Sequence, residues 1–152
     1  MTFELSSPAF AEGGTIPRKY SGDGENLSPP LQWSGAPAET RSFALICEDP
    51  DAPSGTFRHW AAANIDADRT GMPEGAGKHP SGCVFARNDF GHVAYDGPAP
   101  PRGHGLHHYH FKLAALDVAR LDVPSDAGAE QLWRTVQPHI VAEAETVGTY
   151  QR

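Results

Sequence analysis

The sequence predicts a mainly β protein: an antiparallel β-sandwich with long loops rich in proline and glycine and a C-terminal helix. Three observations lead to this prediction. Short apolar segments of strand length recur along the chain, 16 glycines and 14 prolines are spread over its 152 residues, and one late stretch has apolar residues at helical spacing. Short strands between turn-rich loops are typical of sandwiches, whereas prolines throughout a chain disfavour a helical bundle.

Length and charge narrow the class of protein. A chain of 152 residues predicts one domain over residues 1–152, large enough to bury a core. The formal net charge of −7 argues against binding to nucleic acid or to an anionic membrane. No apolar run approaches membrane-spanning length, and MTFELSSPAF at the N-terminus has no basic region before a long apolar run. We therefore expect a cytoplasmic protein with Cys47 and Cys83 as reduced thiols.

The strand predictions follow the apolar segments in order, and the clearest is the buried run SFALIC. Residues 13–30 and 66–82 are turn-rich, and we expect the second of these segments to be an irregular surface loop. Strands are expected at 3–5, 31–33, 42–47, 59–65, in a short segment ending at Tyr95, at 107–116 and towards the end of 142–150.

The one strong helix signal comes late in the chain. Ser125 and Asp126 follow Pro124 and are candidates for the start of the helix, because an N-cap side chain and a carboxylate in the first turn both stabilise a helix. Pro138 should end or kink it. The apolar stripe expected to face the core consists of Ala129, Leu132, Trp133 and Val136.

The stretch 95–109, YDGPAPPRGHGLHHY, combines a shaped loop with the start of a strand. Its prolines and glycines predict a rigid loop over 97–105 whose backbone N–H groups have fixed directions. Strand alternation puts His107 and Tyr109 on one face, and His108 and His110 on the other. Such a stretch can form a pocket for an anion or small ligand, or it can be a surface turn followed by solvated histidines.

A second polar segment, EDPDAPSGTFRHW, follows the buried strand. Asp49 and Asp51 come at the end of that strand, where loop residues often do chemistry, but aspartate before proline is also a common turn former. A single histidine at the start of a strand, such as His59, is usually structural. His59 becomes a candidate functional residue if Asp49 lies near it.

Together, the two segments resemble the signature regions of the phosphatidylethanolamine-binding protein family, and most closely its bacterial, Raf-kinase-inhibitor-like branch. The similarity extends to SSPAF, IPRKYSGDGENLSPPLQW, RNDFG and AETVGTYQR, so it covers essentially the whole chain. The resemblance implies a β-sandwich with a small anion-binding pocket at one end and a cis peptide bond between Ala52 and Pro53. Carried over residue by residue, it implies a ligand site formed by Asp49, Ala52, Pro53, His59, Gly97, Pro100, His107 and Tyr109.

The resemblance also implies a function and partners. The expected ligand is a phosphate-like anion such as the phosphoethanolamine head group, and the candidate protein partners are a kinase or other signalling protein and a second copy of the chain. Neither a cofactor nor catalysis is expected. The alternative is a hydrolase or lyase that acts on a small phosphoester with Asp49, His59 and His107 as acid–base groups, although no serine lies in a nucleophile-elbow sequence.

This chain departs from the family pattern at several positions. His108 stands where most relatives have arginine, and we expect it to be structural and to contact Asp51. Ser21 and Ala99 replace cysteines of many bacterial relatives, which removes any cross-link or metal site built on them. A metal site formed by His104, His107, His108 and His110 is a further alternative, but strand alternation leaves at most two of these on one face, so no metal is expected.

Overall fold

The computed structural model describes residues 2–152, within which the strands form two antiparallel sheets. The α-helix, α1, spans Ala129–Val136 and precedes the last strand. The strands are, in chain order, β1 (Glu4–Ser6), β2 (Leu31–Ser34), β3 (Ser42–Asp49), β4 (Phe57–Asp66), β5 (Gly71–Met72), β6 (Val84–Phe85), β7 (His107–Leu116) and β8 (Ile140–Tyr150).

The larger sheet has five strands in the order β6–β4–β3–β7–β8, and the smaller has three in the order β1–β2–β5. The small sheet and the segment between β1 and β2 cover one face of the large sheet, and α1 covers the other. The mainly β fold predicted from the sequence, with one late helix, is therefore confirmed.

The central strand β3 is buried along almost its whole length because both faces of the large sheet are covered. Side chains alternate along a strand. Phe43, Leu45 and Cys47 therefore pack between the sheets, while Ala44 and Ile46 pack under α1. This two-sided burial explains why SFALIC reads as an uninterrupted apolar run.

The helix begins later than Ser125 and Asp126 suggested. Gly128 is its N-cap, and no side chain caps its first turn, whereas residues 124–127 form a turn closed by a hydrogen bond from the Ala127 N–H to the Pro124 carbonyl. The predicted stripe is otherwise correct, since Leu132 and Val136 are fully buried and Trp133 is partly buried against the same cluster.

Two other local predictions were wrong. No strand leads to Tyr95; residues 88–96 are irregular, and their polar side chains bond the backbone instead of a neighbouring strand. The segment 66–82 contains the short strand β5, because Gly71 and Met72 pair with β2. It also contains a 3-10 turn at Ala76–Lys78. Within residues 2–152, both cysteines are free, and no helix has the length and apolar character needed to cross a membrane.

The large sheet brings the candidate site together at one end. Strand β3 ends at Asp49, β4 begins at Phe57, and β7 begins at His107, with β3 pairing antiparallel to both neighbours. The C-terminal end of β3 therefore meets the N-terminal ends of β4 and β7, and the loops that follow β3 and precede β7 meet at the same place.

Candidate ligand-binding site

A cavity of about 240 Å³ opens at this end of the large sheet. Its walls are mainly apolar, with a few polar side chains directed into it, which is the usual composition of a small-molecule site. Polar groups come from both signature segments. The lining residues are Asp49, Ala52, Pro53, Ser54, Phe57, His59, Phe90, Ala99, Pro100, Pro101, His107 and Tyr109.

A carboxylate–imidazole pair lies at the buried side of this cavity. His107 Nδ1 donates to Asp49 Oδ2 over 2.6 Å, and the side chains are only 2% and 4% exposed. The other carboxylate oxygen, Oδ1, accepts from the Asp51 backbone N–H at 2.8 Å. Both oxygens of Asp49 therefore have a hydrogen-bond partner, as a buried carboxylate requires. The bond to Nδ1 also fixes the ring orientation of His107.

His59 enters the cavity through an irregularity in β4. The pairing of β3 with β4 shifts from Cys47–Trp60 to Glu48–Arg58, which leaves His59 as an extra residue in β4. A bulge of this kind redirects a side chain, and His59 lies against Tyr109, with ring centroids 5.2 Å apart. Its Nδ1 donates to the Asp96 carbonyl at 2.7 Å, so Nε2 is left for the cavity.

Burial determines the charge of His59. Its side chain is almost fully buried, and desolvation lowers the pKa of the imidazole, although the Asp96 carbonyl and the charge of Asp49 act in the opposite direction. His59 is consequently neutral at pH 7, with Nε2 as a hydrogen-bond acceptor. Desolvation outweighs the charge of Asp49 because the direct hydrogen-bond partner of His59 is a backbone carbonyl and not that carboxylate.

A partly buried polar network holds the Asp96 segment that positions His59. Asp96 accepts hydrogen bonds from Asn88 Nδ2 (2.8 Å), His92 Nδ1 (2.6 Å) and Asn26 Nδ2 (2.9 Å). Desolvation opposes ionisation of Asp96, but these three donors bring its pKa below the ordinary value. Asn26 Oδ1 also accepts from the Gly97 N–H at 2.7 Å, so the network joins the turn-rich segment 13–30 to the loop 97–105.

The phenol of Tyr109 completes the polar lining. Burial, reinforced by the negative charge of Asp49, raises the pKa of Tyr109 well above its usual range, so the hydroxyl stays protonated. Among the described residues, no lysine or arginine lines the cavity. Any positive charge offered to a ligand there must therefore come from a protonated histidine.

Seven of the eight residues expected at the site line this one cavity: Asp49, Ala52, Pro53, His59, Pro100, His107 and Tyr109. The structure places Gly97 behind the lining, where a Cβ atom would meet the Tyr20 carbonyl oxygen at 2.0 Å. Gly97 is thus a position of close backbone approach. The cis bond expected between Ala52 and Pro53 is not present, since no peptide bond within residues 2–152 is cis.

Sequence reasoning missed several residues of the site. Phe57 and Phe90 form an aromatic wall with ring centroids 4.7 Å apart, and each also packs on His59. Asn88 and Asp96 carry the supporting network. Asn88 lies in the RNDFG segment, whose residue types give no sign that the turn supports His59.

The other two histidines of β7, His108 and His110, separate from His107 as strand alternation predicted. His108 lies on the outer face, where its Nδ1 and its backbone N–H both bond Asp51 Oδ2 at 2.8 Å, as expected for a structural residue. Desolvation opposes ionisation of Asp51, but these bonds lower its pKa. His110 Nδ1 lies 3.4 Å from Glu145. In residues 2–152, no three histidine, cysteine or acidic side chains are grouped as metal ligands.

His104 belongs with the site, although the sequence placed it only in the metal alternative. Its Nδ1 lies 2.6 Å from Nε2 of His107, the ring nitrogen that does not face Asp49. Asp49, His107 and His104 therefore form a continuous chain of hydrogen bonds from the buried end of β3 to the exposed loop.

Comparison with known proteins places the chain in a family. The family model described as phosphatidylethanolamine-binding protein matches residues 6–151. A UPF0098 protein of Methanothermobacter thermautotrophicus is 46% identical over 151 residues, which cover 97% of this chain and 98% of the relative.

Solved structures agree with this match. The crystal structure of Escherichia coli YbcL, described as a member of the mammalian PEBP family, superposes with a TM-score of 0.95 at 34% identity and covers 100% of this chain and 99% of that one. A putative homologue from Chlamydia trachomatis, CT736, gives a TM-score of 0.89 at 37% identity, covering 99% of this chain and 98% of that one. The chain therefore belongs to the phosphatidylethanolamine-binding protein family.

Proposed function

We propose that this protein is a binding module for a small anion, a phosphate group or a phospho head group such as phosphoethanolamine. The observation that carries the proposal is the buried pair of Asp49 and His107 at the cavity. Family membership supports the same function, because the family's name describes a protein that binds phosphatidylethanolamine, a phospholipid.

The geometry of the pair explains how an anion is held without lysine or arginine. Because Nδ1 of His107 donates to the Asp49 carboxylate, Nε2 carries a hydrogen only when the ring is an imidazolium. The carboxylate stabilises that cation, so the buried pair is neutral overall. The Nε2–H group can then make a charge-assisted hydrogen bond to an anionic oxygen.

The cavity limits the size of the ligand. Its volume of about 240 Å³ lies below the range of roughly 300–1,000 Å³ typical of drug-sized sites. The apolar walls, including Phe57, Phe90 and Pro53, suit a short organic substituent beside the charged group. We infer that a single head group enters, while any acyl chains stay outside.

We propose binding rather than catalysis, although the Asp49–His107 pair has the form of an acid–base dyad. A nucleophilic mechanism needs a hydroxyl or thiol within hydrogen-bond reach of the base. Within residues 2–152, neither His59 nor His107 is hydrogen-bonded to a serine, threonine or cysteine side chain. Incubation with small phosphoesters in single-turnover amounts should give no product, and product formation would favour the hydrolase alternative.

The protein partners carried by the resemblance stay predictions. They are a kinase or other signalling protein, which this protein would restrain, and a second copy of the chain. Light scattering of the purified protein over a range of concentrations tests the second.

Calorimetric titration at mildly acidic pH tests the proposed ligand. Phosphate, sulfate and phosphoethanolamine should bind the wild type, and ethanolamine alone should bind much more weakly. His107→Gln should lose at least about tenfold in affinity, because tenfold corresponds to about 1.4 kcal/mol and a hydrogen bond to a charged group contributes about 1.5–3 kcal/mol. His79→Gln is the matched control, because His79 is exposed and does not line the cavity. Equal losses in both variants, or equal binding of ethanolamine, would contradict the proposal.

A further inference from the structure

The His104 side chain already occupies the position that a ligand of His107 would take. An anionic oxygen bonded to Nε2 of His107 should lie about 2.7–2.9 Å from that nitrogen, along the N–H direction. Nδ1 of His104 lies there, at 2.6 Å. Two atoms cannot share this position, so an anion on His107 and the His104 contact exclude each other.

The two ends of this contact differ in how firmly they are held. His107 is buried and fixed by Asp49, as part of β7. His104 is exposed, in a loop whose residues from 101 to 104 are all exposed. When one partner must move for a ligand to enter, the exposed loop residue is the one that can do so without uncovering the core.

The backbone around His104 is suited to such a movement. Gly103 and Gly105 have φ values of +74° and +92°, and nothing lies within 4 Å of the position of a Cβ atom at either. The neighbouring backbone hydrogen bonds are long: His104 N–H to the Pro101 carbonyl at 3.2 Å and Gly103 N–H to the Arg152 carbonyl at 3.4 Å. The His104 segment thus has few contacts to lose.

We propose that His104 is a displaceable internal cap on His107, which an anion must remove in order to bind. The proposal rests on the proposed function and adds a residue that sets its affinity and selectivity. A ligand is bound only if its bond to Nε2 exceeds the His104 bond that it replaces. Charged oxygens satisfy this condition better than neutral hydroxyl or carbonyl groups, because charge-assisted hydrogen bonds are about twice as strong.

Sulfate titration of three proteins tests the cap: the wild type, His104→Ala and His79→Ala. Sulfate is the probe because its charge is constant near neutral pH. His104→Ala should bind sulfate about threefold to tenfold more tightly, the effect expected when one competing hydrogen bond of ordinary strength is removed. His79→Ala removes one exposed imidazole that does not line the cavity and should stay within twofold of the wild type.

The imidazole nitrogen spectra of the same three proteins without ligand provide a readout that does not depend on binding. The ¹⁵N resonance of His107 Nε2 should shift in His104→Ala and not in His79→Ala, because only the first variant loses the partner of that nitrogen. An unshifted resonance would overturn the cap.

The titration separates the cap from the anion-binding function. Unchanged sulfate affinity in His104→Ala would overturn the cap while leaving anion binding intact. Weaker binding would make His104 a ligand contact and would also overturn it. Sulfate binding to His104→Ala but not to the wild type would support the cap, whereas binding to neither would contradict the proposed function and, with it, the competition proposed here.

Discussion

His107 Nδ1 and Asp49 Oδ2 meet at 2.6 Å across 58 positions of sequence, with both side chains almost completely excluded from water. Their contact depends on the pairing of β3 with β7, which brings the end of one strand beside the start of the other. The carboxylate accepts from Nδ1 and so leaves Nε2 as the ring nitrogen that contacts His104.

Replacement of Asp49 by asparagine should weaken sulfate binding at mildly acidic pH. The carboxylate accepts the hydrogen bond from His107 Nδ1 and places a negative charge beside the ring that is proposed to hold the anion, and asparagine carries no such charge. Titration calorimetry measures the loss of affinity. Asp51→Asn removes the same charge on the outer face, beside His108, and should leave the affinity near that of the wild type. Equal affinities for wild type and Asp49→Asn would refute the role of the pair.

His59 should make the folded protein less stable in mild acid. Burial lowers its pKa in the folded state, so as pH falls the unfolded chain takes up the proton first. The free energy of unfolding is unaffected by His59 above its unfolded pKa of about 6.5 and declines below it, by at most about 1.4 kcal/mol per pH unit for one proton. The decline ends below the folded pKa.

Urea unfolding of wild type and His59→Gln between neutral pH and mild acid measures this contribution. The variant should lose less stability over that range, whereas His79→Gln, at an exposed position, should follow the wild type. Identical pH dependence in wild type and His59→Gln would show that His59 takes up its proton equally in both states.

Asn88→Ala should destabilise the protein by about 3 kcal/mol, because it leaves several partly buried polar groups without partners. The Asn88 amide donates to the Ala94 carbonyl and Asp96, and its oxygen accepts from the backbone N–H groups of Phe90 and His92. Urea denaturation measures the loss. Gln32→Ala, at an exposed position with one 3.3 Å side-chain bond, should change stability by less than about 0.5 kcal/mol. A loss of stability in Asn88→Ala as small as that of Gln32→Ala would argue against a stabilising role of the network.

Gly97→Ala should cost about 3 kcal/mol through a backbone clash. The added Cβ atom would lie 2.0 Å from the Tyr20 carbonyl oxygen and 2.9 Å from Ser21 Cα, and neither atom can move without shifting the chain. Gly128→Ala is the control, because no atom lies within 4 Å of its Cβ position, and its cost should be below about 1 kcal/mol. Thermal unfolding compares the two, and equal costs would contradict the close approach.

The sequence predicted the parts of the fold that rest on simple periodicity. The run at 42–47 and the run at 107–116 are central strands of the large sheet, and the stripe ending at Val136 is the buried face of α1. Burial on one or both faces determines which positions of a strand or helix are apolar, so these elements could be identified from the sequence.

The other features depend on contacts between distant residues. The strand expected at Tyr95 does not form because Asn88 and Asp96 bond the surrounding backbone and side chains, and residue types alone do not distinguish that network from an ordinary turn. The bulge at His59 depends on register against β3. The contact of His104 with His107 depends on a loop conformation set by two glycines with positive φ.

The most direct test of the central claim, that the buried Asp49–His107 pair holds an anion as an imidazolium, is the proton balance of sulfate binding. Calorimetric titration of the wild type in two buffers that differ in heat of ionisation, repeated from mildly acidic to alkaline pH, measures both proton uptake and affinity. Sulfate binding should be accompanied by proton uptake and should be tighter at mildly acidic than at alkaline pH. Sulfate binding of equal strength from acid to alkaline pH, with no proton uptake, would contradict the claim and assign the anion to uncharged donors.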